Sequence, residues 1–214
     1  MGRHDWYRNE TWTREVQAAF RERLDRNRGS FHKAQYLRIQ AVHLAQAGEH
    51  RAALELLDEL LEKYPDASQL ASARSQRAEC LLALGRIAEV ADEYRSSLQA
   101  ERDNPTFKTG AWLNFACLVA FHGMSNLYDE ASAVLDEFSA SSFLMFPAQR
   151  FQYAAARAFL AEAKGDREAA VAFAKSTLED AVAEHSGFRH HPQLGLVNDL
   201  DKSLEQRLSA MAGG

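Results

Sequence analysis

β-Branched residues are scarce in this chain of 214 residues, with 8 Val, 2 Ile and 5 Thr against 37 Ala and 25 Leu. Strands draw on β-branched side chains, whereas Ala and Leu lose little freedom in a helix, so a sandwich or a Rossmann-type sheet is excluded and an all-α protein is expected. No run approaches the ~18 uninterrupted apolar residues that a membrane span needs. Only two cysteines are present, Cys80 and Cys117, and both fall in apolar helical runs, which points to reduced, buried thiols rather than a disulfide framework. The first residues lack an apolar signal core, and Trp6 stands where a myristoylation signal requires Ser or Thr, so a cytoplasmic location is the default expectation.

Chemistry-bearing motifs are equally sparse. There is no nucleophile elbow, Walker loop, dinucleotide fingerprint or HExxH, and the reading is of a non-enzymatic protein without cofactor or metal. His185, His190 and His191, with Asp199 and Asp201 nearby, hold metal-ligating side chains, but His190-His191-Pro192 reads more simply as a polar loop between helices. Acidic pairs such as Asp58-Glu59 and Asp129-Glu130 fall on expected helix surfaces, where they solubilise.

What is present is a repeat. The four prolines, Pro65, Pro105, Pro147 and Pro192, stand 40, 42 and 45 residues apart. Gly48, Gly85, Gly123 and Gly165 each follow an apolar helical segment; an alanine stands seven residues before each (Ala41, Ala78, Ala116, Ala158), and Leu44, Leu81, Val119 or Ala161 stands four before. The alanine lets a neighbouring helix approach closely, the apolar residue shares its face, and the glycine supplies a left-handed C-cap that turns the chain back. A small or apolar residue then opens a second helix at Ala53, Val90, Ala131 and Ala170, and Met124-Ser125-Asn126 reads as a loop insertion. The resulting map has helices at 11–26, 31–47, 49–64, 67–84, 86–101, 107–122, 126–139, 147–164, 167–185 and 193–211. Gly29 is expected to stop the first helix and Ser30 to cap the second.

The first unit resembles the tetratricopeptide repeat family: Leu37, Ala41, Leu44, Gly48, Ala53, Leu57, Leu60 and Pro65 lie at its signature spacing, and Trp112 stands where the family often has Trp. The small residue of the first helix is Ala rather than Gly, and the glycine-to-glycine periods of 37, 38 and 42 exceed the family's 34. The resemblance implies a right-handed α-solenoid of about four degenerate hairpins, at 31–66, 67–105, 107–146 and 147–190. A basic N-terminal arm and capping helix over 1–30, and a C-terminal capping helix and tail over 191–214, would cover its ends. It further implies a ligand groove lined by Gln35, Arg38 and Val42; by Ser72, Ser75, Gln76 and Glu79; by Leu113, Asn114, Cys117 and Phe121; and by Gln152, Ala155 and Phe159. Places that grip a chaperone carboxylate in some members hold Arg38, Val42, Gln76, Gly110 and Asn114 here, a poor match that argues against a chaperone adaptor. Leu113, Phe121 and Phe159 suit a helix or apolar peptide, with the chain's own terminal helix as the alternative occupant.

Charge is uneven. Residues 1–40 carry nine Lys and Arg against five acids, while the whole chain is at −5. Trp6, Tyr7 and Trp12, interleaved with Arg3, Arg8 and Arg14, could stack on bases, but the acidic body argues against nucleic acid. Phe143 and Phe146, in Ser142-Phe143-Leu144-Met145-Phe146-Pro147, put large apolar residues where a loop belongs; they are expected to pack beneath the inter-repeat turn, with an exposed patch for a partner or a second copy as the alternative. The expected function is a protein-interaction scaffold that binds a protein or peptide through Gln35, Arg38, Glu79, Leu113, Asn114, Phe121 and Phe159. The alternative is a regulatory protein that occludes an enzyme or toxin through its outer surface or through an arm bearing Trp6 and Arg8.

Overall fold

A computed structural model describes residues 5–139 and 146–213. Phe143 lies outside the described residues. Helix makes up 74% of the structure and no strand occurs among the described residues, as the Ala and Leu excess requires. The chain divides into two compact units, Met1–Ala111 and Trp112–Gly214.

The first unit opens with a 3-10 turn at Asp5–Tyr7, followed by α1 (Arg14–Arg26), α2 (Ser30–Gln46), α3 (His50–Lys63), α4 (Ala67–Ala83) and α5 (Ile87–Asp103). Antiparallel pairs α2/α3 and α4/α5 form its body, and α4 packs against both α2 and α3. The second unit holds α6 (Ala111–Phe121), α7 (Tyr128–Ser139), α8 (Pro147–Ala163), α9 (Arg167–Ala181) and α10 (Lys202–Gly213). Here α8 and α9 form the densest pair, and α10 packs on α9.

The alanine-to-glycine spacing has one backbone cause at all four turns. Gly48, Gly85, Gly123 and Gly165 have φ of +85°, +73°, +63° and +77°. The amide after each glycine donates to the carbonyl of the apolar residue: Glu49 to Leu44 (2.8 Å), Arg86 to Leu81 (2.9 Å), Met124 to Val119 (3.0 Å) and Asp166 to Ala161 (3.0 Å). This is the six-to-one bond of a Schellman cap. Ala41, Ala78, Ala116 and Ala158 are no more than 1% exposed, and Ala53, Val90, Ala131 and Ala170 no more than 2%. The expected loop at Met124-Ser125-Asn126 contains a 3-10 turn at Ser125–Leu127 that leads directly into α7.

Boundaries depart from the sequence map where side-chain caps act. α1 begins at Arg14 because the Thr13 hydroxyl accepts from the Val16 amide, and it ends at Asn27, before Gly29. Gly29 has φ −85° and is itself the N-cap of α2, so Ser30 is the first helical residue and not the cap. α6 starts at Ala111, whose amide donates to Thr109 Oγ1 at 3.0 Å. The largest difference is at α10, which starts at Lys202 rather than near 193. Gly195 (φ +70°) and Asp199 (φ +54°) turn the chain, and Asp201 Oδ1 then caps the helix by accepting from the Ser203 and Leu204 amides, both at 2.9 Å.

Candidate functional site

The expected groove residues fall in both units. In the first, Gln35 and Arg38 lie half-buried on α2, and Glu79 is exposed on α4. Arg38 Nε donates to Gln69 Oε1 at 2.6 Å. Gln69 is only 7% exposed, and a relay fixes its orientation: its Nε2 donates to Ser68 Oγ (3.1 Å), which donates to the Asp66 carboxylate (2.5 Å). The amide oxygen is thereby turned toward Arg38. Burial alone pushes the Arg38 guanidinium below its ordinary pKa, with no opposing carboxylate. Both terminal nitrogens of Arg38 therefore stand without an ion pair among the described residues. Farther along α4, Gln76 Oε1 is buried without a hydrogen-bond partner. Although Glu79 as a whole is exposed, its carboxyl is partly desolvated against the protein and so raised above its ordinary range, offset in part by a hydrogen bond from Ser75.

In the second unit, Asn114 is half-buried on α6 while Leu113 is 4% exposed. Phe121 meets Phe159 edge to face, with centroids 5.5 Å apart. Phe159 is itself 4% exposed, and the Arg207 guanidinium of α10 lies over its ring, 4.2 Å from the centroid. The chain's own last helix thus covers part of the apolar face expected to receive a ligand.

The N-terminal aromatics pack inward. The Trp6 ring touches Tyr7, Phe20 and Tyr36 at centroid distances of 5.2, 5.5 and 4.8 Å, and Trp12 meets Phe20 at 5.5 Å. Arg8 stays exposed, with its guanidinium 5.7 Å from the Tyr7 centroid. Gln40, fully buried, fastens this segment: its Oε1 accepts from the Asn9 amide (3.0 Å) and Asn9 Nδ2 (2.8 Å), and its Nε2 donates to the Asn9 carbonyl (2.7 Å). Sequence reasoning missed this clasp, which joins residues 31 positions apart. Phe146 stacks on Phe188 at 5.3 Å and covers Gly195.

The thiols are unpaired and buried, and desolvation pushes Cys80 up to about 11 and Cys117 up to about 12, so neither is a ready nucleophile. Among the described residues no group of three or more His, Cys, Asp or Glu is arranged to hold a metal ion. His185 Nδ1 accepts from the Gly187 amide (2.9 Å), and Asp201 is occupied as a helix cap. No helix among the described residues is long and apolar enough to cross a membrane. The sequence matches no protein-family model, and no curated protein and no solved structure matches the chain.

Proposed function

We propose that the chain is an α-solenoid of degenerate tetratricopeptide-like hairpins that binds an extended peptide or helix of a partner protein. Arg38 is the polar anchor. The observation that carries this reading is the Arg38 guanidinium itself, half-buried, oriented by Gln69, and lacking an ion-pair partner among the described residues. A desolvated arginine held by a single neutral acceptor is costly unless a carboxylate reaches it, and its planar fork suits a two-pronged bond to Asp or Glu. The four Schellman-capped turns support the repeat reading. Gln35 and Glu79, in the same unit as Arg38, would flank the bound segment.

Selection of peptides from a random displayed library by the full-length protein tests the proposal. Peptides carrying Asp or Glu beside apolar residues are expected to be enriched. Arg38→Glu should weaken the selected peptide at least tenfold while leaving helicity by circular dichroism unchanged; a folded Arg38→Glu protein with unaltered affinity would overturn it.

A further inference from the structure

α10 is tied to the second unit by few side chains. Leu208 is its one buried residue, and Leu204 and Met211 on the same stripe are half-covered. Arg207 adds its cation–ring contact with Phe159. A surface cleft of about 280 Å³ lies between the last turn of α10 and the α8–α9 turn, lined by Glu162, Gly165, Val171, Ala210 and Met211.

The connection from α9 is non-helical over 182–201 and is fastened by backbone hydrogen bonds in its first part. Ser186 holds the first part by donating to the Pro192 carbonyl from its amide and to the His191 carbonyl from its hydroxyl, both at 2.7 Å. Gly195 holds it again by accepting from the Ala148 amide at 2.9 Å. Between there and the Asp201 cap, no backbone hydrogen bond fastens the chain among the described residues. Residues 196–200 are therefore held by side-chain packing alone, with Leu196, Val197 and Leu200 half-buried.

We infer that α10 is a built-in occupant of the face formed by α9 and the Phe159 ring, displaced when a partner protein supplies an amphipathic helix of the same chemistry. The pattern Leu204, Arg207, Leu208, Met211 defines that chemistry: a leucine in the buried seat, a cation immediately before it to cover the Phe159 ring, and an apolar residue one turn to either side. This rests on the helix-binding reading above and adds a second kind of ligand, basic and helical, to the acidic one expected at Arg38.

Native-state hydrogen exchange on the full chain tests it directly. The amides of 202–213 should exchange at least 100-fold faster than the buried amides of α8 and α9. A labelled synthetic peptide of residues 199–213 should bind a Leu208→Asp protein at least tenfold tighter than the wild type, because the variant leaves the face open. Exchange of α10 at the rate of α8 and α9 would overturn the inference, and so would a Leu208→Asp protein that keeps its helicity but ignores the peptide, or a concentration-dependent dimer formed by swapping α10. If Leu208→Asp fails to fold, Arg207→Glu takes its place, and the exchange result on the wild type stands by itself. Because exchange involves no partner, it can fail while peptide selection through Arg38 succeeds, and the reverse.

Discussion

Glu101 combines a buried carboxylate with an unpartnered oxygen. It is fully buried near the end of α5; its Oε1 accepts from the Thr109 amide (3.0 Å) and the Thr109 hydroxyl, while its Oε2 has no partner. Desolvation raises its pKa above the ordinary 4.5, only partly offset by Thr109, Lys108 and Arg102. Between 4.5 and the raised value the native state holds more protons than the unfolded chain, so stability falls as pH rises through that window. Glu101→Gln keeps an acceptor for Thr109 and removes the buried charge. It should flatten the fall of the urea midpoint as pH rises above 4.5 and stabilise the protein by about 1 kcal/mol at neutral pH. Glu101→Ala should instead cost about 1–3 kcal/mol, because the half-buried Thr109 amide and hydroxyl lose their acceptor. A midpoint difference between Glu101→Gln and wild type that does not grow as pH rises above 4.5 would contradict this account.

At the scale of the helix pair, the turn glycines separate two kinds of cost. A Cβ on Gly48 or Gly85 would meet nothing within 4 Å, so substitution by Ala there costs only the left-handed backbone, about 1 kcal/mol. At Gly195 the added Cβ would lie 2.5 Å from the Phe146 ring in addition to φ +70°, and the ring must leave its stack on Phe188. Gly195→Ala should cost about 2–3 kcal/mol in urea unfolding, the strain and lost packing adding to the backbone term; equal losses at Gly48 and Gly195 would show that Phe146 yields freely. These turns also mark what could be read in advance. Ala41, Leu44 and Gly48 each have one local task, set within eight residues of chain, so their spacing exposed the hairpins. Leu196, Val197 and Leu200 kept a helical spacing and placed α10 too early, because the left-handed backbone at Asp199 has no signal in apolar periodicity. The sequence singled out Arg38, whereas the Asp66, Ser68, Gln69 relay that orients its guanidinium depends on the approach of α2 to α4. The Arg207 contact with Phe159 likewise joins residues 48 apart, beyond the reach of local pattern, and it changes what substitution of Phe159 would mean.

For the whole molecule, the uneven charge and the repeat make different demands. Part of the N-terminal basic excess is spent within the first unit, where Arg21 pairs with Glu59 across 38 residues, while Arg38 meets only the neutral Gln69. Farther along, Glu93, 9% exposed, receives Arg74 (3.1 Å) and Arg77 (2.7 Å), and Arg77 also reaches Asp58 (2.7 Å). Such a network stitches α3, α4 and α5 together locally and does nothing for distant hairpins. In an array of repeats stability is a sum over neighbours, so damage stays near its source. Ala158, fully buried on α8, tests this, since Ala158→Val crowds the α8/α9 contact at a cost of about 1–3 kcal/mol. Hydrogen exchange should then lose roughly tenfold or more protection in α8 and α9, in keeping with that cost. The amides of α2 and α3 should change less than about threefold, because their neighbour contacts are untouched. A uniform loss over all four helices would mean that the chain unfolds as one cooperative body, and the repeat-array reading would have to be abandoned.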